Sequence, residues 1–144
     1  MKTKQILFGA CLLAAFAFEA AAQDRNYDLG PVTDVSYIKI KPGKFNAYMH
    51  YLAGSYRAVQ EENKKAGLIL NWGIFTNQAR DPRNADVILT VTYPNLAAIE
   101  KIEAFEATAA RVFGSQTQQA EKAIDRESLR EVIGSQRIRE LKLR

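Results

Sequence analysis

The chain has 144 residues, with 20 Lys and Arg against 16 Asp and Glu, a formal net charge of +4, one histidine and one cysteine. That length fits one domain with a core of its own. The charge is mild and its signs are interspersed, so the basic stripe that a nucleic-acid partner calls for is missing. A Cys/His set for zinc is missing too.

Lys2 and Lys4 precede an apolar run from Ile6 to Phe18, followed by Ala20, Ala21 and Ala22. A basic end, an apolar core and small residues at a cleavage point are the order of a secretory signal. Residues 1–22 therefore read as a signal peptide, and the protein as exported, periplasmic or extracellular. The run is broken by Glu19 and falls short of the ~20 apolar residues that span a bilayer, so no membrane anchor is expected after cleavage. Cys11 lies inside the run, with Leu12 and Leu13 continuing it; a lipidated cysteine there would put the cut in mid-core. Cleavage after Ala22 leaves neither a disulfide framework nor a thiol nucleophile.

Residues 23–34, polar and carrying Gly30 and Pro31, read as a flexible leader ahead of a single domain spanning 35–144. Val35 to Lys41 is a predicted strand with Ile38 and Ile40 on one face and Tyr37 and Lys39 on the other. Pro42-Gly43 ends it. Phe45, Tyr48, Met49, Leu52, Tyr56 and Val59 then recur at helical spacing. Lys64 and Lys65 lie at the negative end of that helix dipole and Gly67 stops it.

Leu68 to Phe75 is a second predicted strand, 76–85 a polar loop, and Val87 to Tyr93 a third strand. Asn95 caps a helix whose stripe is Leu96, Ile99, Ile102, Phe105, Ala109 and Val112. Gly114 interrupts it, and Ser115 with Gln118 forms the capping box of a further helix, running to about Ile133 and stopping at Gly134. Gly-Ser-Gln occurs at 114 and again at 134, which reads as two helix stops rather than a duplicated domain. Gln136 to Leu143 is a last strand, with Leu141 and Leu143 facing inward.

The order β-α-β-β-α-α-β is that of an α+β fold, the ferredoxin-like split βαβ sheet with strand order 4-1-3-2 and helices on one face. The uncovered face would present Tyr37, Lys39, Asn71, Gly73, Phe75, Ile88, Thr90, Thr92, Ile138 and Glu140. Such a mixture suits pairing of two sheets better than exposure, so a homodimer with a cavity is expected.

The run Ile38-Lys39-Ile40-Lys41-Pro42-Gly43-Lys44-Phe45, the helix with Tyr48 and Leu52, Gly67, the Trp72-bearing strand, and Val87 to Tyr93 leading into a helix resemble the dimeric α+β barrel superfamily. The antibiotic-biosynthesis-monooxygenase-like and NIPSNAP-like proteins are its most similar members. The resemblance covers nearly all of the chain beyond residue 22, but its motif is structural and speaks to fold more than to function. It implies a dimer whose sheets enclose a barrel, with a pocket between sheet and helices in each protomer. Some relatives are cofactor-independent oxygenases, some degrade haem, and some are isomerases or dehydratases; no catalytic set transfers.

His50 falls off the apolar stripe, beside Gly54, Arg57 and Glu61, and reads as a surface group rather than a ligand or base. Glu100, Glu103 and Glu106 read as solvated charge. Ser55, Ser115 and Ser135 lack a Gly-x-Ser-x-Gly setting, and no phosphate-binding glycine loop appears. Tyr37, Lys39, Asn71, Thr90 and Thr92 are the candidate ligand-binding residues, Lys39 having the alternative of pairing with Glu140. Arg80 and Arg83 are candidates for clamping an anion, or else belong to a solvated turn. No cofactor and no metal is expected. Three functions fit: an exported homodimer binding a small, partly apolar molecule; a cofactor-independent monooxygenase or isomerase using Tyr or Lys; or a structural partner-binding module.

Overall fold

A computed structural model describes residues 25–78 and 83–144; the expected signal peptide and Arg80 lie outside the described residues. The architecture is α+β, a four-stranded antiparallel sheet with several helices, compatible with a ferredoxin-like fold. Strand β1 is Tyr27–Ile40, β2 Asn71–Thr76, β3 Val87–Tyr93 and β4 Arg130–Leu143, side by side in the order β2-β3-β1-β4.

β1 begins well before Val35, so from Tyr27 onward the expected leader is strand. Gly30 and Pro31 do not break it, because they form a bulge where the register with β4 shifts between Leu29 and Val32. Only a glycine fits at that point: a Cβ on Gly30 would come within 2.7 Å of a Glu140 carboxylate oxygen and 2.9 Å of its Cβ.

Gly43, at φ +73°, turns the chain out of β1 into helix α1 (Phe45–Tyr51). A π-helical turn (Leu52–Tyr56) follows, in which the Arg57 N–H donates to the Leu52 carbonyl five residues back, and α2 (Arg57–Lys65) continues the same rod. The Gly67 N–H bonds the Lys64 carbonyl and the Leu68 N–H that of Asn63, a Schellman ending with Gly67 at φ +69°. Leu68 and Ile69 are buried in the lead-in to β2 rather than within it.

The helix expected from Leu96 onward divides into α3 (Leu96–Ile99), capped by Asn95 accepting from the Ala98 N–H, and α4 (Ile102–Phe113). The break at Glu100-Lys101 turns Ile102 outward, 64% exposed. Gly114, at φ +80°, ends α4, and the Ser115 hydroxyl accepts from the Gln118 N–H to start α5 (Gln116–Leu129).

Two expectations for the C-terminal segment fail together. Helix α5 stops at Leu129 because Arg130, Glu131 and Val132 pair with Ile40, Lys39 and Ile38 of β1. Gly134 is therefore no helix stop; it sits in β4 opposite Tyr37, beside the bulge that leaves Ile133 unpaired. Leu141 and Leu143 do not face inward either, being 53% and 81% exposed. They pair with Leu29 and Tyr27, where β1 and β4 have run beyond the end of β3 and, among the described residues, no further strand continues the sheet.

The dry core is Ile38, Tyr48, Leu52, Val87 and Leu89, between the sheet and the α1 rod, with Met49 and Ile74 packed against it. Full burial of such side chains stabilises by about 1.5–3 kcal/mol each. Along the helix-covered side of β1, however, Ser36 and Asp34 lie between Ile38 and the fully buried Val32, so polar groups interrupt the apolar row.

Candidate functional site

That polar interval borders a cavity of about 230 Å³. Asp34 and Ser36 of β1 and Leu89, Val91 and Tyr93 of β3 form its floor; Tyr51, Tyr56 and Gln60 come from the α1–α2 rod, Arg126 from α5 and Arg130 from the start of β4. A second chamber of about 280 Å³ lies between α2, α4 and α5, lined by Val59, Phe113 and Lys122 among others. Tyr51, Tyr56, Gln60 and Arg126 line both.

The π-helical turn explains how one rod supplies Tyr51 and Tyr56 together. Residues five apart diverge on a regular α-helix, whereas the wider turn between them keeps both toward the cavity. Such turns are common at functional sites. Gly54 inside it has open space where a Cβ would be.

The tyrosines are tied into the frame. Tyr48 is fully buried, stacks on Tyr51 with ring centroids 6.0 Å apart, and its hydroxyl accepts a 3.2 Å bond from Arg130 Nη1. Tyr56 packs edge-on against Trp72 at 5.9 Å, and the indole N–H donates to Glu61. Tyr93 packs edge-on against Phe105. Burial is the largest influence on Tyr48, Tyr56 and Tyr93 and pushes all three hydroxyls up from the usual phenol range, Tyr56 furthest. At neutral pH these groups are hydrogen-bond donors, not phenolate bases.

The charges around the cavity are unequally committed. Both oxygens of Asp34 are taken by Arg137, at 2.6 and 3.0 Å. Arg126 bonds Glu127 at 3.1 Å; burial opposes its charge, but Tyr51 and Glu127 more than offset that. Arg130, with its side chain 10% exposed, reaches Tyr48 through Nη1 and Glu127 through Nη2 at 3.4 Å. Its Nε is buried and bonded to nothing, and so is Oε1 of Gln60. A buried polar atom without a partner costs about 1–3 kcal/mol, and two such atoms on residues that line one cavity mark it as the place where the fold leaves polar groups unmet.

The sequence-predicted residues lie elsewhere. In one row across the uncovered face Asn71 stands beside Thr92, which pairs with Thr33 and shares a 2.9 Å hydroxyl bond with it. Thr90 belongs to the next row with Gly73 and Val35, and Tyr37 to the one after with Ile88 and Phe75. None of them lines either chamber. Lys39 does not pair with Glu140: it sits opposite Glu131 and binds Asp86 at 2.9 Å and the Asn84 carbonyl at 3.1 Å, while Glu140 packs on Gly30. Asp86 also accepts from the Ile40 N–H, so this cluster fastens the β2–β3 loop to β1. Arg83 is exposed in that loop, as is His50 on α1.

The residues sequence reasoning missed are Tyr51, Gln60, Arg126, Arg130 and Asp34. Their signal was the tyrosine load of the first helix, and Asp34 and Ser36 falling in phase with Ile38. Among the described residues no group of three or more His, Cys, Asp or Glu is placed to hold a metal ion, and no helix is long and apolar enough to cross a membrane. In comparisons with known proteins, no family model and no curated protein matches this chain.

Proposed function

We propose that this protein binds a small, partly apolar molecule in the chambers between sheet and helices, as an exported homodimer of the dimeric α+β barrel type. One observation carries the binding reading: a tyrosine-lined cavity is bounded by Gln60 and Arg130, each of which keeps a buried polar atom without a partner among the described residues. The volume suits a molecule of about one ring, held by apolar walls and a few polar anchors. The dimer is supported by the uncovered face, where Phe75, in the row of Tyr37 and Ile88, is 54% exposed and Ile138, opposite Thr33, is 50% exposed.

Native mass spectrometry of the protein purified from its own host tests both parts. The expected species is two chains carrying a small molecule, which is lost when Gln60→Trp fills the part shared by both chambers. A single-chain mass at micromolar concentration rules out the dimer. A small molecule retained by the filled variant rules out the chambers.

A second reading, a cofactor-independent monooxygenase or isomerase, draws on the Tyr and Arg donors converging on one cavity, since such donors stabilise an oxyanion developing on a substrate. Binding comes first because the tyrosines are held as donors and Asp34 is occupied by Arg137, so the described lining offers no ready base. Turnover of the co-purified molecule on incubation with oxygen, abolished by Tyr56→Phe, would reverse that ranking.

A further inference from the structure

We infer that the molecule taken by this pocket is a small carboxylate with a hydrogen-bond donor beside the acid group, a hydroxy acid on a flat apolar body. The inference rests on the binding reading above and goes further, by matching what the walls supply against what they lack. They supply donors and positive charge. Lys122, which pairs with Asp125 at 3.7 Å, Arg126 and Arg130 line the two chambers, against Asp34 as the only carboxylate among the described lining residues. Its charge is already neutralised by Arg137, which bonds both of its oxygens.

Glu127 offsets part of that charge, but it lines neither chamber and its side chain is 53% exposed. Arg130 spends Nη1 on Tyr48 and Nη2 on Glu127, which leaves Nε as a buried charged donor without an acceptor. A carboxylate satisfies such a group through a charge-assisted bond. A cation would add like charge, and a hydrocarbon would leave the guanidinium N–H unpaired. Gln60, which lines both chambers, likewise has its Oε1 without a partner. That oxygen needs a donor, hence the hydroxyl beside the acid.

Leu89, Val91 and the rings of Tyr51, Tyr56 and Tyr93 surround the inner chamber, so the rest of the molecule is apolar and flat rather than a free inorganic anion. Trp72 supplies the readout, being in edge-on contact with Tyr56; it is the only tryptophan of the chain.

The test titrates the whole protein with 2-hydroxybenzoate, 2-hydroxybenzamide and inorganic phosphate, following Trp72 emission and heat of binding. The acid is expected to bind about tenfold or more tightly than the amide, as one charge-assisted bond implies, and phosphate more weakly than either. Arg130→Met is expected to abolish the preference for acid over amide. Because Arg130 also braces Tyr48, Arg126→Met serves as a second variant, and Lys101→Gln removes the same charge at the exposed α3–α4 junction without changing the preference. Amide binding equal to acid, a preference surviving in both arginine variants, or phosphate binding as well as the acid each overturns the carboxylate assignment while leaving the pocket in place. No saturable binding of any of the three overturns the pocket reading and the assignment with it.

Discussion

The two faces of the sheet differ in a way their composition conceals. The uncovered face mixes Tyr, Phe, Ile, Thr and Lys, yet its polar groups serve one another: Thr33 bonds Thr92 and Lys39 bonds Asp86. The covered face contributes Ile38, Val87 and Leu89 to a dry core, but beside that core Gln60 and Arg130 are buried with atoms that have no partner among the described residues. A chemical task shows itself where polar groups are buried and unpaired, because that is where the fold has accepted a cost. A mixture of residue types on a surface carries no such cost.

The contrast can be broken or sharpened by perturbing each region in turn. The largest expected effect is in the dry core: Leu52→Ala, at a side chain 2% exposed, is expected to cost about 2–5 kcal/mol in urea unfolding. Phe75→Ala on the uncovered face is expected to stay within about 0.5 kcal/mol in a dilute, single-chain sample; a loss comparable to Leu52→Ala would mean that this face is buried. Next comes the contact between α2 and α4. Thr108 of α4 is buried and donates to Asn63 of α2, so Thr108→Val strands the amide and is expected to cost about 1–3 kcal/mol.

The two pH limits follow from different regions. Tyr48, Tyr56 and Tyr93 have folded values above the unfolded one, raised chiefly by burial. Their contribution to stability is complete below the unfolded value near ~10 and is lost as pH rises toward the folded ones. The melting temperature is therefore expected to fall on the alkaline side, and Tyr56→Phe to lessen the fall; an unchanged slope would show that Tyr56 is not the buried phenol described. The smallest effect is at Asp86. Burial works to raise its value, but the Ile40 N–H and Lys39 outweigh it and hold the carboxyl below the usual range. Stability from this group is complete above the unfolded value near ~3.9 and is lost as pH falls through the folded one. With half-exposed partners screened by solvent, Asp86→Asn is expected to cost about 1 kcal/mol or less at neutral pH, a difference that disappears in acid.

Much of the architecture was legible because it rests on local rules. Pro42-Gly43, Gly67, Asn95 and Ser115 mark turns and helix ends through φ preference and short side-chain bonds, which neighbours alone decide. Where those rules competed with long-range pairing, pairing won. Arg130 to Ile133 carry a helical pattern, but β1 offers this segment a ladder of backbone bonds. Gly30 and Pro31 look like a loop, but β4 accommodates them as a bulge. The site was harder to read, since starting β1 at Val35 left Asp34 outside the strand and reading Arg130 as helical hid its place beside Tyr48.

By itself the sequence determined the α+β class, the strands that follow alternation, the helix ends that follow capping chemistry, and the aliphatic side of β1 around Ile38. Those depend on residues within a few positions of one another. Only the tertiary structure decided that a π-helical turn would aim Tyr51 and Tyr56 together, that Arg126 and Arg130 would meet them, and that Gln60 and Arg130 would be left unpaired. Partnership among buried polar atoms is a property of distances between segments far apart in the chain, and no periodicity along that chain records it.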